Sequence, residues 1–205
     1  LYLCIAGCLA AVICISDPLR KEAKDAIQAL HACGISKVVM MTGDSRRTAE
    51  AVAREVGVDQ FYAEVLPEDK ANFVRQEKAA GRKVIMIGDG VNDTPALSEA
   101  DVGIAINTGA AIAREIADVT IASEDLFELV TLRKISQALM GRIQRNYRFI
   151  VGFNLMLIVL GVTGVIQPTT SALLHNASTL GISLDSMTDL LDKDKERALP
   201  ETESA

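Results

Sequence analysis

The sequence predicts an α/β fold with a parallel sheet covered by helices on both faces, followed by a hairpin of two transmembrane helices. Over residues 1–135, short apolar runs alternate with amphipathic stretches, which is typical of parallel strands joined by crossover helices. Loops rich in Asp and Gly follow two of these runs. Residues 147–166 are then almost uninterruptedly apolar, and such a segment is long enough to cross a bilayer as a helix.

The composition is compatible with one buried core and a membrane segment, and it argues against nucleic acid as a partner. The chain has 205 residues, of which 49% are hydrophobic. Lys and Arg number 21 against 27 Asp and Glu, so the net charge is -6. Binding to a phosphate backbone needs clustered cations, and base stacking needs aromatic side chains, which make up only 4% here.

The first residues predict a strand hairpin, LYLCIA and CLAAVICI, on either side of Gly7. The four cysteines (Cys4, Cys8, Cys14 and Cys33) have neither a CxxC pair nor a histidine at ligand spacing, so we expect buried, reduced thiols rather than a metal site. Because the chain starts with Leu1 in mid-pattern, we expect it to be the C-terminal part of a longer protein.

The α/β region then follows a regular order of helices and strands. KEAKDAIQALHACG predicts a helix that ends at Gly34, and KVVMM predicts a buried strand. SRRTAEAVAREVG predicts a helix capped by Ser45 and ended by Gly57. After the strand FYAEV, Pro67 suits the first turn of the helix PEDKANFVRQEKAAG. The remaining segments, in order, are the buried strand KVIMI, the helix DTPALSEA, the strand VGIAI, the helix AAIAREIA and the strand VTIA.

The C-terminal part predicts a linker helix and two membrane spans over residues 136–191. The helix DLFELVTLRKISQALMGRIQ leads into the first span, and the uncharged turn QPTT leads into the second, Ser171 to Leu184. Five basic residues precede the first span and the turn has none, so the positive-inside rule places the α/β part in the cytosol. They are Arg133, Lys134, Arg142, Arg145 and Arg148. A buried core helix is the alternative for the first span, and residues 192–205 are expected to be a disordered cytosolic tail.

The two polar loops predict a common site, because the carboxyl ends of parallel strands meet at one edge of a sheet. In GDGVND, Asp89 and Asp93 supply carboxylates of the kind that Mg²⁺ binds, and Asn92 adds a donor and an acceptor. Gly88 and Gly90 allow a sharp turn close to a bound anion. A purely structural Asx-turn is the alternative explanation of this loop.

Two further segments add to the acidic loop, and together they form half of a phosphoryl-transfer site. The Thr42 hydroxyl in MTGDS, with nearby backbone amides, can hold phosphoryl oxygens. Lys70 in PEDK can neutralise a phosphoryl group, although PEDK taken alone is typical of an ordinary solvated helix start. A metal, a cation and a hydroxyl clamp are thus present without a nucleophile.

The ordered set TGDS, PEDK and GDGVND resembles the haloacid dehalogenase superfamily, and more closely the phosphorylation domain of P-type ATPases. The resemblance implies Mg²⁺ and ATP as cofactors and assigns roles to seven residues. Thr42 and Gly43 bind the phosphoryl group, Asp44 lies near nucleotide and phosphate, Lys70 pairs with the phosphoryl group, Asp89 and Asp93 bind Mg²⁺, and Asn92 with Asp93 supports phosphate and metal.

The departures from this family define what the chain lacks. The DKTGT motif with the phosphorylated aspartate and the TGE dephosphorylation loop do not occur in the sequence. By resemblance, residues 1–16 end a nucleotide-binding domain and its hinge, DPLR continues that hinge, and residues 17–135 form the phosphorylation domain. We expect the chain alone to be inactive, with the remaining domains of a parent pump as its partners.

The arrangement of two spans after the cytosolic domain resembles the heavy-metal-transporting class of P-type ATPases. This resemblance implies an integral protein of the plasma or inner membrane. His175 and Thr179 lie four residues apart on one helix face, in a pattern similar to that of pumps for divalent first-row metals. Asn154 occupies the place of the asparagine in the Tyr-Asn pair of copper pumps, here Phe153-Asn154. These residues are candidates for contact with the transported ion, a metal or proton pathway, whereas we expect the serines of the second span to join neighbouring helices.

Two other functions remain open at this point. A membrane-tethered phosphatase of the same superfamily would also need a nucleophile upstream, and it would leave His175 without a role. A non-catalytic module that binds phosphate and Mg²⁺ would need none. The residues that precede Leu1 in the parent protein distinguish the three.

Overall fold

The computed structural model describes residues 2–5, 8–12, 18–88, 91–106, 115–121 and 125–191. The chain divides into two compact units, Leu1–Val130 and Thr131–Ala205. Asp89 and Gly90 of the acidic loop, Cys14, Asp17 of the DPLR segment and the C-terminal residues 192–205 lie outside the described residues.

Strands and helices alternate through the first unit in the predicted order. The strands are β1 (Tyr2–Ile5), β2 (Cys8–Val12), β3 (Val39–Met41), β4 (Gln60–Tyr62), β5 (Ile85–Gly88), β6 (Val102–Ile106) and β7 (Val119–Ile121). The helices are α1 (Ala23–Ala32), α2 (Arg46–Val56), α3 (Pro67–Ala79) and α4 (Thr94–Glu99), the last preceded by a 3₁₀ turn at Val91–Asp93. Of the predicted helix AAIAREIA, all but the last residues lie outside the described part.

The predicted parallel pairing is confirmed. β3 pairs with β4, and β5 pairs with β6, which pairs with β7, all in parallel. The described strands therefore form two parallel ladders, and no described strand pairs with the other side of β3 or β5. Crossover helices between parallel neighbours are what the alternating pattern predicted.

The interior of β5 departs from the prediction of a buried strand. Ile85 and Ile87 keep 45% and 37% of their surface exposed, although both are large apolar residues. β5 is the outer strand of its ladder among the described residues, so one side of its backbone has no neighbouring strand. Ile85 and Ile87 lie on one face of β5, so this face is partly uncovered, and the unpaired backbone edge can accept a further strand.

The helix ends follow from the local sequence. The Ser45 hydroxyl accepts a hydrogen bond from the Thr48 amide at the start of α2, and Gly57 ends that helix in the left-handed conformation with φ 81°. Pro67 is the first residue of α3, where its missing N–H costs nothing. Both predicted helix starts, at Ser45 and Pro67, are confirmed.

One apolar cluster of the first unit lies between α1 and α2, and the largest fully buried side chains, Val74 and Leu97, belong to α3 and α4. Ala23 and Ile27 of α1 pack with Val56 of α2, and partly buried apolar residues close the cluster. These are Leu19, Val38, Val52, Val58 and Leu126. The helices thus hold β3 and the loop after it in place.

The N-terminal hairpin forms as predicted, but its cysteines are not buried. β1 and β2 pair antiparallel, and the described side chains of both strands are exposed. Cys4 and Cys8 are exposed and Cys33 is half-buried, so the prediction of buried thiols was wrong for these residues. A two-stranded hairpin covered by no other element leaves both its faces open to solvent.

Two helices, α5 (Phe127–Val162) and α6 (Pro168–Ser186), are joined by a short turn, and all but the first four residues of α5 belong to the second unit. Among the described residues α5 alone is both long and apolar enough to cross a membrane, and almost none of its apolar stretch is buried. That exposure argues against the alternative of a soluble core helix, whose apolar side chains would be covered. α6 has 19 residues and spans about 28 Å, close to the thickness of a bilayer core.

Candidate functional site

Lys70 and Asp93 form a largely buried ion pair at the end of β5. The Lys70 Nζ donates to Asp93 Oδ1 over 2.7 Å, and the two side chains keep only 15% and 11% of their surface exposed. Lys70 lies in the first turn of α3, and Asp93 lies in the 3₁₀ turn after β5. Removal of one partner would leave the other charge buried, at a cost of about 3–5 kcal/mol.

Gly88 lets Asp93 lie against the end of β5. A Cβ on Gly88 would fall 2.5 Å from the Asp93 Cβ and 2.9 Å from its Oδ2, which is closer than any side chain tolerates. The first glycine of GDGVND is therefore required by the approach of the carboxylate to the strand. The backbone of β5 at Gly88 thus fixes the position of Asp93 Oδ2.

Thr42 and Asp44 form a compact loop after β3. The Thr42 hydroxyl donates to Asp44 Oδ2 over 2.8 Å and accepts from the Asp44 amide over 3.1 Å. The Asp44 carbonyl accepts from the amide of Glu64, a residue with φ 56°, which is uncommon for a side chain with a Cβ. Gly43 is less constrained than Gly88, since a Cβ there would come no closer than 3.8 Å to the Val65 carbonyl oxygen.

The two parts of the predicted site are connected through the start of α3. The Thr42 carbonyl accepts from the Val65 amide, two residues before α3 begins at Pro67. Lys70, one turn further, reaches Asp93. Within the described residues no hydrogen bond joins the Thr42–Asp44 pair directly to the Lys70–Asp93 pair. The structure thus pairs Thr42 with Asp44 and Lys70 with Asp93, and the bond from Val65 to Thr42 ties the segment before α3 to the first pair.

The remaining residues of the acidic loop differ in position. Asn92 is exposed, and Asp89 lies outside the described residues. Sequence reasoning missed Thr94, which follows Asp93 and whose buried hydroxyl has no hydrogen-bond partner among the described residues. Buried hydroxyls are nearly always paired, so an unpaired one next to a buried carboxylate is a signal that only coordinates could supply.

The described residues fit a Mg²⁺ site in donor chemistry. Asp93 contributes a buried carboxylate with one oxygen on Lys70, and its other oxygen, Oδ2, has no described hydrogen bond. Mg²⁺ in phosphoryl-transfer sites takes one or two carboxylates together with substrate phosphate and water. No group of three or more His, Cys, Asp or Glu side chains able to hold a metal occurs in the described part of the chain.

Hydrogen bonds lower the pKa of one carboxylate near the base of the sheet. The Asp101 carboxylate accepts from the Val84 amide over 2.9 Å and from Lys83 Nζ over 2.9 Å. Both bonds favour the ionised form, so the pKa of Asp101 lies below its ordinary value, with the Val84 amide as the larger cause. This carboxylate joins the start of β5 to the start of β6 at the amino end of the strands.

The candidate metal-pathway residues meet within the helix pair. His175 Nδ1 lies 2.8 Å from Asn154 Oδ1, which joins α6 to α5. An amide oxygen only accepts, so this contact requires a proton on Nδ1. The Thr179 hydroxyl donates to the His175 carbonyl oxygen over 3.0 Å. Asn154 and His175 are therefore in contact across the two helices, which the sequence did not predict, whereas His175 and Thr179 lie one turn apart as their spacing predicted.

The serines of α6 correct one expectation. The Ser178 and Ser183 hydroxyls donate to carbonyl oxygens one turn earlier in their own helix, those of His175 and Thr179. They do not join α6 to α5, because bonding back to the helix satisfies the hydroxyl without a neighbour.

Comparison with known proteins places these features in a family. A model of haloacid dehalogenase-like hydrolases matches residues 3–101. The chain is 47% identical to the Copper-transporting ATPase 2 of Rhizobium meliloti (strain 1021) over 174 residues, which is 85% of this chain and 21% of that protein. It is 39% identical to the Manganese-exporting P-type ATPase of Mycobacterium bovis (strain ATCC BAA-935 / AF2122/97) over 187 residues, which is 91% of this chain and 26% of that protein.

A solved structure matches both in fold and in sequence. A zinc-transporting PIB-type ATPase in the E2.Pi state superposes with a TM-score of 0.78 at 33% identity, over 83% of this chain and 28% of that one. The chain thus spans between a fifth and about a quarter of the length of the relatives it matches.

Proposed function

For a chain that belongs to the heavy-metal P-type ATPases and carries their haloacid dehalogenase-like domain, we propose a role as the C-terminal part of an ATP-driven pump for a divalent transition-metal ion. The pump is an integral membrane protein whose α/β domain lies in the cytosol. Its reaction passes through a phosphorylated aspartate that this chain does not contain. The chain alone is therefore inactive.

The buried Lys70–Asp93 pair carries this proposal. A lysine held at 2.7 Å from a carboxylate, with little solvent access, presents fixed positive charge where a phosphoryl group develops negative charge. Thr42 and Gly43 supply the hydroxyl and the backbone amide that hold phosphoryl oxygens, with Asp44 beside the nucleotide. Asn92 lies at the solvent side of the acidic loop, where it supports the bound phosphate.

The nucleophile reaches this site on a strand that pairs with β5. The open edge of β5 and its exposed isoleucines, Ile85 and Ile87, favour the addition of one more apolar strand there. The carboxyl end of a parallel strand at that position lies beside Asp93 and the end of β3. An aspartate just beyond that end meets Thr42 and Lys70.

Mg²⁺ and ATP are the cofactors of the proposed reaction. Asp93 and Asp89 would hold Mg²⁺, which would supply positive charge to neutralise the phosphate. In the phosphorylated state Lys70 neutralises the phosphoryl group, and Asp93 orients the Lys70 ammonium through the observed hydrogen bond. Thr94 directly follows Asp93, and its hydroxyl would donate a hydrogen bond to the ligands bound there.

His175 is the proposed contact with the transported ion. The bond to Asn154 leaves Nε2 free to bind a metal such as Zn, Co, Ni or Cu. The relatives carry copper and manganese, so the printed names do not select one ion. Polar groups at this depth in a membrane usually serve a pathway, and the phosphatase alternative would leave this one without a role.

The phosphoryl site is tested by Asp93→Asn in the full-length protein. The substitution removes the charge that holds Lys70 and binds Mg²⁺, so we expect phosphoenzyme formed from ATP to fall to background, with the same result for Asp89→Asn. Asp25→Asn, an exposed acid in the first turn of α1, is the matched control and should keep wild-type levels. Normal phosphoenzyme in Asp93→Asn would refute the assignment.

The transport site is tested separately by His175→Ala. Loss of the imidazole should lower metal-stimulated ATP hydrolysis at least about tenfold, while phosphoenzyme formed backwards from inorganic phosphate is retained. Ser183→Ala, two turns further along α6, is the control because, among the described residues, its hydroxyl bonds to a carbonyl of its own helix. Unchanged metal activation in His175→Ala would make the residue structural.

A further inference from the structure

One arginine of α5 holds the C-terminal end of α6. Arg142 Nη1 donates to the carbonyl oxygens of Ser186 over 3.2 Å and Thr188 over 2.7 Å. Its Nη2 donates to the Thr188 hydroxyl over 3.1 Å and to the Asp189 carbonyl oxygen over 2.8 Å. A single guanidinium thus binds four oxygens of the segment that ends α6.

Two neighbours on the same face of α5 extend this contact. Arg145 Nη2 pairs with Asp185 Oδ2 over 3.2 Å, and Asn146 Nδ2 donates to the Ser186 hydroxyl over 3.2 Å. Positions 142, 145 and 146 are three and four apart, so they lie side by side on one helix face. We call Arg142, Arg145 and Asn146, with the residues 185–189 that they bind, the arginine clamp.

The chemistry of a helix end explains why an arginine occupies this position. The last carbonyl groups of a helix lack amide partners, and their partial negative charge favours a cation. The planar guanidinium offers five donors in a fixed fork, so it can bind several oxygens at once. Lysine offers a compact ammonium on a flexible stem, which matches this set of four oxygens less well.

The clamp lies just before the apolar segment of α5 and works together with a second tie. Arg142 precedes Asn154 by twelve residues, which corresponds to about 18 Å along the helix. Asn154 binds His175 of α6. The two helices are therefore held at two levels, which opposes both sliding and rotation of α6 against α5.

We propose that Arg142 is a positioning residue that makes α6 move with α5 during transport. α5 begins at Phe127, before the membrane segment, and continues without a break to Val162. A displacement of its cytosolic end is passed through the clamp to α6 and hence to His175. This inference rests on the proposed pump function and adds the element that couples phosphorylation to the transport residue.

The test uses Arg142→Gln in the full-length protein. Gln keeps a polar side chain but loses the charge and most donors, so we expect normal phosphoenzyme from ATP and at least an about fivefold drop in metal transported per ATP hydrolysed. Arg142→Lys should fall in between. Arg148→Gln is the control. Arg148 lies on the same helix as Arg142, and among the described residues it has no hydrogen bond or ion pair.

Rescue separates positioning from a purely structural need. In a variant without the native cysteines, Asn146→Cys and Ser186→Cys introduce thiols that a short, reducible thiol crosslinker can join. Crosslinking should restore transport to Arg142→Gln, and reduction should abolish it again. Unchanged coupling in Arg142→Gln, or a loss that crosslinking does not restore, would overturn the proposal.

The same two thiols allow the clamp proposal to be tested separately from the proposed pump function. Arg142→Gln should lower the rate of crosslinking between positions 146 and 186, whereas Arg148→Gln should not. A wild-type protein without metal-dependent ATP hydrolysis would refute the pump, and the crosslinking rates would then still support or refute the clamp.

Discussion

At the scale of residues, the acidic loop depends on the missing side chain of Gly88. Its Cα carries no Cβ, and the space is taken by the Asp93 side chain, which in turn holds Lys70. Gly43 occupies the comparable place after β3 but has room for a methyl group. The two glycines of the predicted site therefore differ in what they permit.

Gly88→Ala should disrupt the ion pair without touching either charge. The added methyl would lie 2.5 Å from the Asp93 Cβ, so the loop must shift, at a cost of about 1–3 kcal/mol. We expect a lower melting temperature and loss of phosphoenzyme in the full-length protein. Gly43→Ala is the control for stability and should melt like the wild type. A Gly88→Ala protein with unchanged phosphorylation would show that Asp93 need not lie against β5.

At the scale of elements, α2 and α3 present the two halves of the site. α2 starts two residues after Asp44, and α3 starts three residues before Lys70. Their starting residues, Ser45 and Pro67, were predictable because helix capping depends on local sequence. The contact between Lys70 and Asp93 spans 23 positions, and no local rule predicts its geometry.

Ser45→Ala should loosen the start of α2 and the loop before it. The Ser45 hydroxyl accepts from the Thr48 amide, and loss of such a cap costs about 1 kcal/mol. Thermal denaturation should show a correspondingly lower melting temperature, and hydrogen exchange should rise at the first amides of α2. Ser45→Asp keeps an acceptor and should restore most of the stability. Equal melting of Ser45→Ala and wild type would argue against the cap.

At the scale of the whole molecule, the chain is organised as two units with different surroundings. The first unit places polar pairs at the ends of parallel strands, and the second carries apolar side chains on the outside of α5. Phe149 and Ile158, for example, keep 51% and 62% of their surface exposed. The open edge of β5 shows a similar excess of exposed apolar surface in the first unit.

The edge of β5 should be covered in the full-length protein. If a further strand pairs with β5, the amides among positions 85–88 that point away from β6 become hydrogen-bonded and exchange more slowly than in the 205-residue chain alone. Hydrogen exchange followed by mass spectrometry measures this difference. No added strand is proposed beside β7, so the exchange of its amides serves as the internal comparison. Equal exchange at β5 in both proteins would contradict the pairing.

The sequence by itself determined the order of strands and helices, the helix starts, the polar loops after β3 and β5, and the closeness of His175 to Thr179. Each of these depends on residues near in the chain, through periodicity, capping and turn chemistry. Only the tertiary structure decided the Lys70–Asp93 contact, the fit of Gly88 against Asp93, the unpaired Thr94 hydroxyl and the grip of Arg142 on α6. These contacts join residues distant in sequence, and their distances follow from how the elements pack, which local patterns do not encode.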